Sequence, residues 1–166
     1  MNGMKRLFDL SERFLAAVCV AGLVTMFILG VATVFFRFVV QSSLAFSEEL
    51  IRYLFVWVMF LGSAITLRRN AHAAIGVFVS WMPGAARRTA LLAATAASAL
   101  FFLVLIVKGG QLTARVVPQI SPALEISMAW PYAAVPVGAV FMLAYAIEIL
   151  IHQMFAPAEE LTAGGV

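Results

Sequence analysis

FLAAVCVAGLVTMFILGVATVFF, residues 14–36, holds no charged side chain. As a helix it is longer than the ~30 Å hydrocarbon core of a bilayer, which takes about 20 residues to cross. Lys5 and Arg6 precede it in the manner of a secretion signal, but the run outlasts a signal core, and Arg37 follows it with no polar mature domain behind. It therefore reads as a retained membrane helix. Three further runs meet the same length criterion. Leu50 to Leu67 is interrupted only by Arg52 near its start, where a long side chain snorkels to the headgroups. Thr89 to Val107 is uncharged, and Ile126 to Ile147 carries Pro131 and Pro136, which packed membrane helices tolerate.

Composition agrees with this reading. Of 166 residues, 64% are hydrophobic and 11% charged, with mean hydropathy +1.03. A water-soluble surface needs about a quarter of residues charged. The runs are too long and continuous for the alternating segments of an outer-membrane barrel. Cys19, the single cysteine, lies inside an apolar run and reads as a small core residue. The net charge of +3 does not point to nucleic acid, because the basic residues sit in the gaps between apolar runs. With the N-terminus inside, seven Lys and Arg fall on the cytoplasmic side and four outside. The expected fold class is an all-α integral membrane protein with four transmembrane helices and cytoplasmic N- and C-termini, residues 1–156 forming a single membrane domain.

Two connections suggest one or two interfacial amphipathic helices. Arg37 to Glu49 keeps Phe38, Val39, Val40, Leu44 and Phe46 among polar residues and fits a short helix along the outer interface. Asn70 to Met82 places Ile75, Phe78, Val79 and Met82 at helical spacing, with Trp81 at headgroup level. Lys108 to Glu125 reads as a looser connection broken by Gly109-Gly110, Pro118 and Pro122. The small, acidic tail 157–166 reads as disordered.

Chemistry is scarce. A carrier or membrane enzyme usually shows ionisable groups at hydrocarbon depth, and the spans hold almost none. His72 and His152 both lie outside the spans, which leaves no candidates for haem or metal ligation, and no nucleophile-and-base set appears. The chain thus reads as neither an enzyme nor a cofactor binder. The densest polar stretch is Ser47 to Tyr53, where Ser47 suits a helix N-cap, Glu48 and Glu49 suit the helix dipole, and Arg52 is within reach of both acids. Capping plus an interfacial ion pair explains these residues; a polar docking point for another membrane subunit is the sharper reading. Small residues at Ala90, Ala93, Ala94, Ala97 and Ser98, and at Ala134 and Gly138, favour close helix packing.

Phe46-Ser47-Glu48-Glu49-Leu50-Ile51-Arg52-Tyr53, then Val56 to Ala64 with Trp57 and Gly62, then Arg69-Asn70-Ala71-His72, and finally Ser121 to Tyr132 with Trp130, resemble the small membrane subunit, DctQ type, of tripartite ATP-independent periplasmic (TRAP) transporters. The likeness runs from the first helix to about Ile151. It implies a bacterial inner-membrane protein that scaffolds a large membrane subunit, which imports an organic acid or similar solute with sodium after capture by a periplasmic solute-binding protein. Glu48, Glu49, Arg52, Trp57, Gly62, Arg69, His72, Trp130 and Tyr132 are the candidate subunit-interface residues. Phe46 stands where many members carry Trp, and Gly76 where an Asp often follows the histidine. The competing reading is a stand-alone homodimeric proton-coupled exporter, which needs a membrane-embedded acid; Glu148 lies at the cytoplasmic end of its span.

Overall fold

The computed structural model describes residues 2–42, 44–70 and 84–155. Four long helices account for most of them: α1 Asn2–Phe35, α2 Ala45–Asn70, α3 Gly84–Val116 and α4 Ala129–Phe155. Four stretches are long and apolar enough to cross a membrane: Arg6–Val40, which runs past the end of α1, Ala45–Arg69, Thr89–Val116 and Ala129–Ile151. No strand occurs among the described residues, where an isolated bridge joins Ile120 to Ser127. The second and third expected spans each fall within one helix and the first runs one residue past α1, whereas the fourth helix starts at Ala129, leaving Ile126 to Met128 in the preceding loop.

Among the described residues the helices form a row rather than a closed bundle. The principal contacts run α1 to α2, α2 to α4 and α4 to α3, which sets them side by side in the order α1, α2, α4, α3. Burial follows that order. The apolar window of α4 is 39% buried, against 11% for the edge helices α1 and α3. Leu15, Cys19, Leu61, Ala64, Phe102 and Met142 belong to the core, together with the fully buried Tyr145 and Ala146. The seams are tight because small residues occupy them: a Cβ at Gly138 would stand 2.7 Å from Phe60 Cβ and 3.2 Å from its backbone. Helices in lipid gain little from apolar attraction to one another, so close backbone approach is a main source of cohesion.

Two expectations about connections change. Gly109-Gly110 does not break α3, which continues to Val116. Gly109 lies where a Cβ would come 3.1 Å from Val135 and 3.2 Å from Pro136 Cδ, so it marks the α3–α4 seam rather than a turn. Nor does Arg37 to Glu49 form a helix of its own. Residues Phe36–Val40 prolong α1 as a π-turn, Gln41 ends it in the left-handed region at φ 56°, and α2 begins at Ala45. The left-handed Gln41 turns the chain back at once, and its N–H donates to the Phe36 carbonyl. The proposed flat helix over Asn70 to Met82 lies outside the described residues apart from Asn70, which ends α2; His72 and the tail 157–166 also lie outside them.

The start of α1 and the end of α4 lie at one end of the row, here the terminal end, where Ser11 Oγ is 3.0 Å from the Tyr145 hydroxyl. The opposite, loop end carries the α1–α2 turn and the α3–α4 connection.

Candidate functional site

At the loop end, one stripe of α2 grips the α3–α4 connection. Glu49, Tyr53 and Trp57 follow each other at intervals of four and so share a face of the helix. Glu49 is buried and its carboxylate accepts the backbone N–H groups of Ala123 at 2.9 Å and Leu124 at 3.0 Å, and the hydroxyl of Tyr53. The Tyr53 hydroxyl also lies 3.2 Å from Met128 Sδ, and Trp57 Nε1 donates to the Trp130 carbonyl at 3.2 Å. Within the loop, Ser121 N–H donates to Ile126 O and Met128 N–H to Gln119 O, both at 2.8 Å, while Ser127 Oγ donates to Val117 O at 2.7 Å. Glu125 takes φ 54° to make this turn. A buried carboxylate is costly unless its oxygens are fully used, and two amides plus a phenol use them.

These contacts overturn the simple ion-pair reading. Among the described residues Arg52 makes no ion pair with Glu48 or Glu49. Ser47 is not the cap either: it is the third residue of α2, buried, donating to Leu44 O and pairing with Thr33 Oγ1 at 2.8 Å. Glu48 and Arg52 are instead exposed and line a cleft of about 620 Å³ together with Tyr53, Pro122, Pro131 and Tyr132. The two sequence blocks that drew attention separately, Phe46 to Tyr53 and Ser121 to Tyr132, thus form the two walls of one cleft. Trp130 and Tyr132 are 65% and 38% exposed.

The terminal end is held by charge. Arg68 contacts Glu12 at 2.5 Å, Asp9 at 2.7 Å and Glu148 at 3.0 Å, so a single side chain of α2 ties α1 to α4. Its guanidinium also lies 5.5 Å from the Tyr145 ring centroid. Arg69, a candidate interface residue, pairs with Glu12 at 2.6 Å while remaining 65% exposed. Sequence reasoning missed Asp9, Glu12 and Arg68 as a unit. A signal was available, since Asp9 and Glu12 stand among the basic residues Lys5, Arg6 and Arg13 and three of the chain's eight acids, with Glu148, meet here.

Gly62 lies elsewhere, in a groove of about 660 Å³ between α2 and α3. Ser63, Thr66 and Ser98 in its walls donate to carbonyls four residues back, which leaves a largely apolar surface. Among the described residues no cluster of His, Cys, Asp and Glu is arranged to hold a metal.

Residues 26–156 match the family model of the DctQ component of tripartite ATP-independent periplasmic transporters. The chain belongs to the DctQ family. Among curated relatives, the sialic acid TRAP transporter small permease protein SiaQ of Vibrio cholerae is 27% identical over 151 residues, 91% of this chain and 86% of the relative. The C4-dicarboxylate TRAP transporter small permease protein DctQ of Rhodobacter capsulatus is 30% identical over 102 residues, 60% of this chain and 45% of the relative. A Haemophilus influenzae chain named as a TRAP transporter small permease protein is 32% identical over 80 residues, 48% of this chain and half of the relative. Family and four apolar helices together make this DctQ chain a multi-pass protein of the bacterial inner membrane.

Proposed function

We propose that this DctQ chain is the scaffold of a TRAP transporter, holding the large membrane subunit while that subunit imports an organic acid with sodium, and that a periplasmic binding protein delivers the solute. The observation that carries this reading is the loop-end cleft. Its two exposed charged residues, Glu48 and Arg52, form no ion pair among the described residues, and exposed Trp130 and Tyr132 stand beside it. Charges held at the membrane edge without internal partners suit a polar contact with another subunit. The orientation that fits the Lys and Arg count puts the terminal end in the cytoplasm and the cleft at the periplasmic face. The solutes in the names of two relatives, sialic acid and C4-dicarboxylates, are both carboxylates, which supports an organic acid here.

An exporter reading finds no support in the same geometry. Glu148, the acid it would use, is paired with Arg68 near the terminal end of its span rather than free at mid-membrane. The test is uptake in liposomes holding the large subunit and binding protein, with and without this chain. The expected result is loss of uptake without it and recovery on adding it back. Replacing Glu48 and Arg52 together with Ala should lower co-purification of the large subunit; unchanged recovery and unchanged uptake would remove the cleft from the interface.

A further inference from the structure

The α1–α2 pair carries its own ruler. Glu12 meets Arg68 near one end, Gly22 lies against Val58 midway, and Thr33 meets Ser47 near the other, all in one antiparallel register. The two polar ties are the same number of residues apart on both helices, about 31 Å at 1.5 Å per residue. That equals the ~30 Å hydrocarbon thickness, so with the pair upright the ties would sit at its two boundaries. But α1 does not stop at Thr33. Residues 34–40 continue about 10 Å beyond the tie.

This stub is apolar and bare on every side. Val34 is 58% exposed, Phe35 53%, Phe36 36%, Phe38 76%, Val39 65% and Val40 50%, with exposed Arg37 the one charge among them. Consecutive helical positions point in all directions around the axis. The headgroup layer is only about 5–7 Å deep on each side, so an upright pair would push Phe38, Val39 and Val40 through it into water. A docked protein would cover one flank of the stub and leave the other bare. Lipid covers all flanks at once.

We infer that residues 34–40 form a lipid-embedded anchor, with the row of helices leaning until the stub lies within the loop-end leaflet. The uninterrupted path from Phe14 to Val40, charged only at Arg37, is about 40 Å long, and a lean of about 40° fits it to the ~30 Å core. With helix axes about 9 Å apart, a lean in the plane of the row lowers α1 by about 6 Å relative to its neighbour. This brings the stub and the Glu48–Arg52 cleft to nearly one level at the loop-end edge of the hydrocarbon, from which the charged side chains reach up to the headgroups. Arg37 then reaches the phosphates, as long basic side chains do at a helix end.

The test places single spin labels on Phe36→Cys, Phe38→Cys, Val39→Cys and Val40→Cys in a Cys19→Ala background, in vesicles of phosphatidylethanolamine and phosphatidylglycerol, with and without the large subunit. Collision with oxygen reads lipid, and collision with a water-soluble nickel chelate reads water. The expected result is oxygen access exceeding nickel access at all four positions in both preparations. Nickel access dominating at 38–40 would put the stub in water, and loss of both kinds of collision on adding the large subunit would make it a protein interface; either overturns the inference. The readout is independent of uptake, so it stands or falls apart from the scaffold role.

Discussion

Helix α2 is fastened at both ends, and by opposite means. At the loop end a buried carboxylate, Glu49, holds two backbone amides and a phenol. At the terminal end a guanidinium, Arg68, holds three carboxylates from two other helices. The first fastening is side chain to backbone and positions a loop; the second is side chain to side chain and positions whole helices. The difference predicts how each end fails. Losing Glu49 frees a local segment whose amides can turn to water, whereas losing Arg68 leaves like charges facing one another at the hydrocarbon edge, where they are poorly solvated.

The largest effect is therefore expected for Arg68→Met. Removing one partner of a partly buried ion cluster costs on the order of 3 kcal/mol, because the remaining charges lose their compensation. The measurement is thermal unfolding in detergent, with Arg68→Met compared against the triple change Arg68→Met, Glu12→Gln, Glu148→Gln. The triple variant should recover part of the loss. If the triple is no more stable than the single change, uncompensated charge is not what Arg68 relieves, and its role reduces to packing on Tyr145.

An intermediate and more local effect is expected at the other fastening. Glu49→Gln keeps the shape but removes the charge from an acceptor of three hydrogen bonds, and charge-assisted bonds are about twice as strong as neutral ones. Amide hydrogen exchange at Ala123 and Leu124 should quicken while exchange in the middle of α2 and α4 stays as it was. Exchange that quickens throughout α2 would show that Glu49 supports the helix row as well as the loop, and the contrast between the two ends would disappear.

What could be read from the sequence divides along the same line. The four spans were legible because apolar length and the absence of charge are properties of a continuous segment. Residues 46–53 and 121–132 stood out in the sequence as motif. Their meeting in one cleft was not, because Glu49 binds the amides of Ala123 and Leu124, and an amide N–H belongs to every residue except proline and leaves no mark in the sequence. The proximity of Arg52 in sequence suggested the wrong partner for Glu49. Gly109-Gly110 misled for a related reason: glycine pairs break helices in water, yet here the missing side chain of Gly109 is what lets α3 approach Val135 and Pro136. The Arg68 cluster was legible in principle from charge alone, but its members span three helices, and which of them meet depends on the α1–α2–α4 order of the row.

The smallest expected effect sharpens the comparison from within the ionic end. Asp9 and Glu12 both contact Arg68, at 2.7 and 2.5 Å, but the side chain of Asp9 is 59% exposed and that of Glu12 16%. Distance alone would rank them together. Solvent separates them, because an exposed carboxylate trades one well-hydrated state for another, and surface pairs contribute only about 0–1 kcal/mol. Asp9→Asn should leave the melting temperature almost unmoved and insensitive to added salt, whereas Glu12→Gln should lower it, since Glu12 also carries Arg69. Equal losses from the two changes would mean that the lipid headgroups desolvate Asp9 as fully as packing desolvates Glu12, placing the hydrocarbon boundary closer to the terminal end than the Glu12–Arg68 tie.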